Sequence, residues 1–232
     1  MIKHAFAVIG AVVLAALAAP ATAQKPPAEK PPAEKPPAPP PVLGFYLGAG
    51  IGAAVMPFDE DNFLQIPNTT SAVTSEEGSF AYKAFFGYRF HPNFALEGYY
   101  ANFGSFWFQR NFTSPFGGTA KADVDSSGWG IDALGIFPLP RNWSLFSRLG
   151  GFYSTTKTTY TSTGTVTFAP GTNLHPERKE WNFKVGFGGQ YDINRNLAVR
   201  AEIETYFDIG NNQTTGGEVN ITMLSISMVG RF

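Results

Sequence analysis

The chain contains no cysteine among its 232 residues. That excludes disulfides, thiolate catalysis, cysteine-ligated metals and lipoprotein anchoring through an N-terminal cysteine. Charge is sparse as well: Asp, Glu, Lys and Arg make up 15% of the residues, against about 25% in an ordinary soluble domain. The signs nearly cancel, leaving a net charge of −1, so nothing draws the chain to nucleic acid. Long apolar runs are missing outside the N-terminus, which excludes a helical membrane protein. What is abundant is aromatic: Phe, Trp and Tyr account for 15% of residues, with Phe alone appearing 22 times.

The N-terminus has the parts of an export signal. Lys3 supplies the positive start, Ala5 to Ala19 an apolar core, and Ala21-Thr22-Ala23 the small-residue cleavage pattern. Residues 1–23 are therefore expected to be a signal peptide for Sec export, cleaved near Ala23 to leave Gln24 first. A transmembrane anchor is the alternative, and the core is short for a span of about 20 residues. Residues 24–43 form a low-complexity spacer in which Lys25-Pro26-Pro27-Ala28-Glu29 recurs at Lys30–Glu34 and again, in part, at Lys35–Ala38. Prolines at this density remove backbone donors and favour polyproline II. The spacer is expected in the periplasm, where its lysines make peptidoglycan a candidate contact.

From Gly44 onward the sequence alternates at period two. Phe45, Leu47, Ile51 and Val55 share one parity; Tyr46, Gly48, Gly50 and Gly52 share the other. A second segment sets Phe80, Tyr82, Phe86, Tyr88 and Phe90 against Ala81, Lys83, Phe85 and Arg89. Six more follow, at about Phe94–Tyr100, Trp129–Phe137, Trp143–Tyr153, Trp181–Asp192, Leu197–Phe207 and Leu224–Phe232. In each, large apolar residues take one face and polar, charged or glycine residues dominate the other. Eight such strands, an even number, predict an all-β, eight-stranded antiparallel transmembrane up-and-down β-barrel over residues 44–232.

The connections alternate in length. Short turns fall at His91-Pro92-Asn93, Leu139-Pro140-Arg141-Asn142 and Asn194-Arg195-Asn196, each ending in Asn before Phe94, Trp143 or Leu197. Long connections are expected at about 57–77, 108–121, 157–180 and 208–217. Short periplasmic turns with longer outer loops are the asymmetry of bacterial barrels. Aromatics on the apolar parity fall into two groups, one beside the short turns and one toward the long loops, as two membrane interfaces require. A soluble barrel would turn these faces the other way.

Several segments resemble the transmembrane domain of the OmpA-like outer membrane proteins. Gly44-Phe45-Tyr46-Leu47-Gly48-Ala49 is similar to that family's opening strand, and Phe86-Gly87-Tyr88 with Leu96-Glu97-Gly98-Tyr99 to its second hairpin. Leu145-Phe146-Ser147-Arg148-Leu149-Gly150-Gly151 resembles its fifth strand and Val199-Arg200-Ala201-Glu202 its seventh. The resemblance implies a porin-like barrel in the outer membrane of a Gram-negative bacterium. The periplasmic peptidoglycan-binding domain of the family's large members has no counterpart in residues 44–232. It also implies that Glu97 pairs with Arg200. The family's switching lysine falls at Leu134 and a further family glutamate at Gln190, so a lumen closed by paired charges is expected. Lys83 or Arg148 are left as substitute partners.

The predicted lumen network is Lys83, Arg89, Glu97, Asp132, Arg148, Lys184, Arg200, Glu202 and Glu204, with Asp192 and Arg231 on the same face. Charges enclosed by a narrow barrel must pair. Leu224, Ile226, Met228 and Phe232 resemble the C-terminal signal read by the barrel-assembly machinery and periplasmic chaperones, with Gly230 where an aromatic is common. No catalytic residue, metal site or cofactor is expected. His4 lies in the signal, His91 in a turn and His175 in a long loop, so no Ser–His pair stands on a strand. The acidic run Phe58–Asn62 lacks the ligand spacing of a calcium loop. Expected partners are outer-membrane lipids and lipopolysaccharide, whose phosphates suit Arg178 and Lys179, and host surface ligands at the loops. The expected role is support of envelope integrity; the alternatives are a surface adhesin or immune-evasion protein and a low-conductance channel.

Overall fold

On every strand the bulky apolar parity must find hydrocarbon and the polar parity must find partners, and only closure satisfies the backbone as well. A computed structural model of the protein describes residues 43–57, 69–114, 117–168 and 170–232. The signal segment, the spacer up to residue 42 and the acidic run Phe58–Asn62 lie outside the described residues. The strands are β1 (Gly44–Val55), β2 (Thr70–Glu76), β3 (Gly78–His91), β4 (Phe94–Ser114), β5 (Gly118–Pro138), β6 (Trp143–Gly164), β7 (Glu177–Asp192), β8 (Leu197–Ile209) and β9 (Val219–Arg231).

All neighbouring strands are antiparallel. Eight of them, without β2, form a ring in chain order that closes where β1 meets β9, with Tyr46 opposite Arg231 and Val55 opposite Thr222. The eight-stranded barrel read from the alternation is the one found. Its outer wall is apolar: Phe45, Phe80, Phe137, Trp181, Phe187 and Ile226 are each at least half exposed. The two aromatic girdles are present. Trp129, Tyr153 and Trp181 pack with ring centroids 5.2–5.6 Å apart toward the long loops. Near the short turns, Phe45 lies 4.6 Å from Tyr88 and Trp143 lies 5.0 Å from Tyr191. On β6 the girdles are marked by Trp143 and Tyr153. Ten residues of strand tilted by about 40° span roughly 25 Å, the height of an outer-membrane apolar band.

Asparagine ends each short turn for a reason the pattern alone does not reveal. In each its main chain clamps the strand alongside, and in two the side chain does so as well. Asn93 accepts from Ile136 N at 2.7 Å and donates through Nδ2 to Ile136 O at 2.9 Å. Asn196 does the same to Arg231, at 2.8 and 3.2 Å. Asn142 takes a positive φ of 65°, which Asn tolerates, and accepts from Asp192 N at 2.9 Å.

The long connections are shorter than expected because much of their sequence is strand. β4 and β5 stay paired up to Phe112 opposite Gly118, and β5 and β6 up to Gly118 opposite Gly164. β2 occupies part of the first expected loop and pairs with the upper part of β4. From Trp129 to Gly118, β5 runs eleven residues beyond the girdle, about 36 Å along the strand. There the alternation persists with its sense inverted. Ala120, Ala122 and Val124 are buried inward, while Lys121, Asp123 and Asp125 face out. Past the membrane the outside is water, so the faces exchange character.

A bulge makes the inversion on β4. The register slips between Asn102 and Ser105, and Gly104 sits at φ +75° with its amide donating to Asn102 Oδ1 at 2.8 Å. A Cβ there would lie 2.5 Å from Phe80 O, so glycine is required. The extra residue moves the inward parity from Phe103 to Phe106, Phe108 and Phe112, all buried.

Candidate functional site: a closed lumen

The inward parity fills the barrel in three layers. The middle layer is ionic and is centred on Arg148 of β6. Its Nη2 lies 2.7 Å from Glu202 and 3.0 Å from Glu97; its Nη1 lies 3.1 Å from Asp132 and 3.2 Å from Glu204. The Nη2 contacts lack hydrogen-bond alignment, so charge rather than direction holds them. Lys184 Nζ bridges Asp132 at 2.6 Å and Glu204 at 2.7 Å. Lys83 reaches Glu204 at 2.7 Å and also pairs with Glu202. Arg200 Nη1 donates to Glu97 Oε1 at 2.5 Å, and the Tyr46 hydroxyl donates to the same oxygen at 2.9 Å. Four cations therefore meet four carboxylates, and all eight side chains are buried. The contacts join strands far apart in sequence and on opposite walls of the ring.

Small residues make room for this layer. A Cβ on Gly87 would stand 2.3 Å from the Tyr46 ring, so glycine lets that tyrosine cross the lumen to Glu97.

Above the ions lies an aromatic ceiling that the sequence reading did not identify. Phe103, Phe152 and Tyr206 are fully buried, with ring centroids 4.7–5.6 Å apart in edge-on contact. Lys184 Nζ sits 3.7 Å from the Tyr99 ring centroid, joining the two layers by a cation–π contact. Phe106, Phe108, Met56, Ile209, Ile221 and Met223 continue the apolar fill upward. The connection after β8 folds over this end. Thr158 Oγ1 donates to Thr214 O at 2.6 Å, and the Tyr160 hydroxyl donates to Gln213 O at 2.8 Å. Burial pushes the Tyr160 phenol up to about 12. It stays a donor at neutral pH. Beside it, Tyr160, Phe168, Thr172, Asn173, Pro176 and Gln213 line an open cleft of about 360 Å³.

Below the ions is the short-turn mouth. Arg231 Nη2 meets Asp192 Oδ1 at 2.5 Å, Gln190 Nε2 donates to the same oxygen at 2.9 Å, and Gln190 Oε1 accepts from Arg200 at 3.2 and 3.3 Å. Arg89 requires a correction. Its parity predicts a place in the ionic network, but among the described residues no carboxylate lies within salt-bridge distance of it. Its Nη2 donates to the Pro92 carbonyl. The cause is height: Arg89 stands at the turn, opposite Gly44 and Ala95, one layer below the carboxylates. Glu97 has Arg148 as its second cation, and Leu134 is buried beside them as an apolar residue. The C-terminal residues Leu224, Ile226, Met228 and Phe232 all point outward, and Phe232 N donates to Phe45 O at 3.1 Å on the closing seam.

A closed ring with two aromatic girdles, an apolar exterior and charges inside defines an outer-membrane β-barrel. Residues 42–232 match the OmpA-like transmembrane domain, and the chain belongs to that family. Among solved structures, it is similar to the Neisserial surface protein A (13% identity, 82% of this chain and 97% of that one, TM-score 0.47). It is similar also to OprG of Pseudomonas aeruginosa (14%, 82% and 97%, 0.48) and to outer membrane protein W of E. coli (18%, 83% and 99%, 0.43). No curated protein matches the chain at a significant level.

Proposed function

We propose that this outer-membrane barrel serves envelope integrity as a sealed structural element. The observation that carries this reading is the lumen: a neutral cluster of four cations and four carboxylates beneath a ceiling of fully buried aromatics. Neither layer suits ion passage. An ion entering the middle layer would have to break contacts of 2.5–3.2 Å, and the layer above offers it only apolar faces. In this reading residues 1–23 direct export, residues 24–43 reach toward peptidoglycan, and the barrel sits among outer-membrane lipids and lipopolysaccharide. Chaperones and the assembly machinery would act on β9. We assign no catalytic role: His91, at the end of β3, and His175, in a connecting segment, are both exposed, and neither meets a serine hydroxyl among the described residues.

Planar-bilayer recording tests the seal. The purified protein is expected to be silent both as wild type and as Glu97→Ala, because Arg148, Arg200 and the ceiling remain. Discrete openings of the wild type would overturn the proposal and favour the channel reading. A second reading, a surface adhesin or immune-evasion protein, is favoured by the extension of β4–β6 and the cleft beside Tyr160.

A further inference from the structure

The cleft beside Tyr160 is made by three parts of the chain that are tied to one another. β6 supplies Tyr160. The connection that follows turns at Gly171, where φ is +89°, and comes back along β6. There Thr158 N donates to Pro176 O at 3.0 Å and Tyr160 N to Leu174 O at 2.9 Å. The connection after β8 closes the third side. It is folded by Asn211, whose Oδ1 accepts from Gln213 N at 2.9 Å and Thr214 N at 3.1 Å, and the Tyr160 hydroxyl holds its Gln213 carbonyl. The walls are thus hydrogen-bonded into place before anything enters, which lowers the ordering cost of binding.

The lining has a definite chemistry. Tyr160 and Phe168 meet at 60° with ring centroids 5.8 Å apart and give the cleft an aromatic wall. Thr172, Asn173, Pro176 and Gln213 complete it, and none is charged. Lys157, Glu177 and Lys179, close in sequence, pair with one another outside the lining. Asn173 Oδ1 accepts from His175 N at 3.0 Å, which leaves its Nδ2 as a donor. The Gln213 carboxamide makes no hydrogen bond among the described residues, so it offers a donor and an acceptor side by side. The Thr172 hydroxyl can do both.

Aromatic surface beside neutral groups that donate and accept selects a ligand with the same two characters. A pyranose ring is one: its C–H face is apolar, and its edge carries adjacent hydroxyls. A charged ligand would lose water and meet no counter-charge. A purely apolar ligand would desolvate Asn173 and Gln213 without pairing them. The volume of about 360 Å³ is at the lower end for ligand sites, about 300–1,000 Å³, and suits a mono- or disaccharide.

We propose that this cleft binds an uncharged hexose unit of a cell-surface polysaccharide. It stands at the long-loop end, which in this class of barrel faces outward. The sugar belongs either to the bacterium's own envelope polysaccharide or to a glycan on another cell. The first case stands apart from both functional readings above; the second rests on the adhesin reading and gives it a ligand class.

The test uses the full-length protein in lipid nanodiscs and follows the Gln213 side-chain amide by NMR. Methyl glycosides of glucose, galactose, mannose and N-acetylglucosamine are titrated in turn. At least one is expected to shift the signal saturably, with a Kd in the millimolar range. Cyclohexanol, which keeps a ring but lacks the set of hydroxyls, should bind at least about tenfold more weakly. Phe168→Leu keeps apolar bulk without the ring face and should weaken glycoside binding about fivefold. Gln213→Ala, read through the Asn173 amide, should weaken it about tenfold. Arg195→Gln, at an exposed turn at the opposite end, should bind like wild type. Oligosaccharide from the bacterium's own lipopolysaccharide is then compared with neutral glycans released from host-cell surfaces, and the tighter ligand names the source. The proposal is overturned if no glycoside gives a saturable shift, if cyclohexanol binds as tightly, or if Phe168→Leu and Gln213→Ala both keep wild-type affinity. The wild-type titrations stand even if a variant fails to fold, and none of these outcomes touches the seal, which bilayer recording reads separately.

Discussion

Arg148→Met removes the hub of the lumen and leaves three cations with four carboxylates. Methionine keeps much of the aliphatic stem that packs near Phe146, whose ring centroid lies 5.5 Å from the Arg148 guanidinium carbon, so the change is chiefly one of charge. Breaking a buried ion pair costs about 3–5 kcal/mol. The lower end applies here, because no carboxylate is left alone. Glu97 keeps Arg200, Asp132 keeps Lys184, Glu202 keeps Lys83, and Glu204 keeps both lysines. The expected loss is therefore about 3 kcal/mol. Adding Glu202→Gln restores three against three, and the double variant should regain about 1–2 kcal/mol, within the usual coupling of contacting charges. Equilibrium urea unfolding in lipid vesicles, read by tryptophan fluorescence, measures both values. The argument fails if Arg148→Met stays within about 0.5 kcal/mol of wild type, or if the two substitutions simply add.

Two further outcomes are expected. Phe232→Ala should lower the amount of heat-modifiable barrel in the outer membrane far more than it lowers the stability of barrel that has already folded, since Phe232 is 74% exposed and contributes little packing; normal amounts of assembled protein would refute a role in assembly. Deleting residues 165–176, which border the cleft beside Tyr160, should abolish adhesion of expressing cells to host surfaces if the second functional reading holds, and unchanged adhesion would dismiss it.

The wall was legible in the sequence because lipid tolerates no exception to its rule. On β3 every residue from Phe80 to Phe90 lies on the face that its parity assigned. The extension above the membrane was legible only in part: the Thr-rich stretch 155–167 has strand composition and β6 runs on to Gly164, whereas Lys121, Asp123 and Asp125 on β5 face outward and read as loop. The Gly104 bulge hid the apolar fill above the ceiling: one extra residue moves Phe106 and Phe108 to the inner face, where simple alternation would not place them. In the lumen, parity told which charges face inward but not at what height. Contacts across a barrel depend on strand tilt and stagger, and these bring Arg148 to Glu97 while leaving Arg89 one layer below.

The network's reach also bears on how the wall finds its register. Lys83 and Glu204 are 121 residues apart in sequence, and Glu97 and Arg200 are 103 apart. A slip of one residue in β8 would exchange its faces. Arg200, Glu202 and Glu204 would then point into lipid, while Val199 and Ile203 entered the ionic layer. An arginine at the bilayer midplane costs about 2–4 kcal/mol, and acidic residues somewhat less. The slip would also leave Lys83 with no carboxylate, and would take Arg200 from Glu97 and Glu204 from Lys184. Each further buried charge left without its partner adds several kcal/mol. The summed penalty rivals the whole stability of an ordinary domain, about 5–15 kcal/mol. A lumen of hydrocarbon would penalise the same slip far less, because apolar side chains are accepted on either face. The ionic layer therefore contributes discrimination between registers as well as closure, and its value lies in what a misregistered barrel would lose.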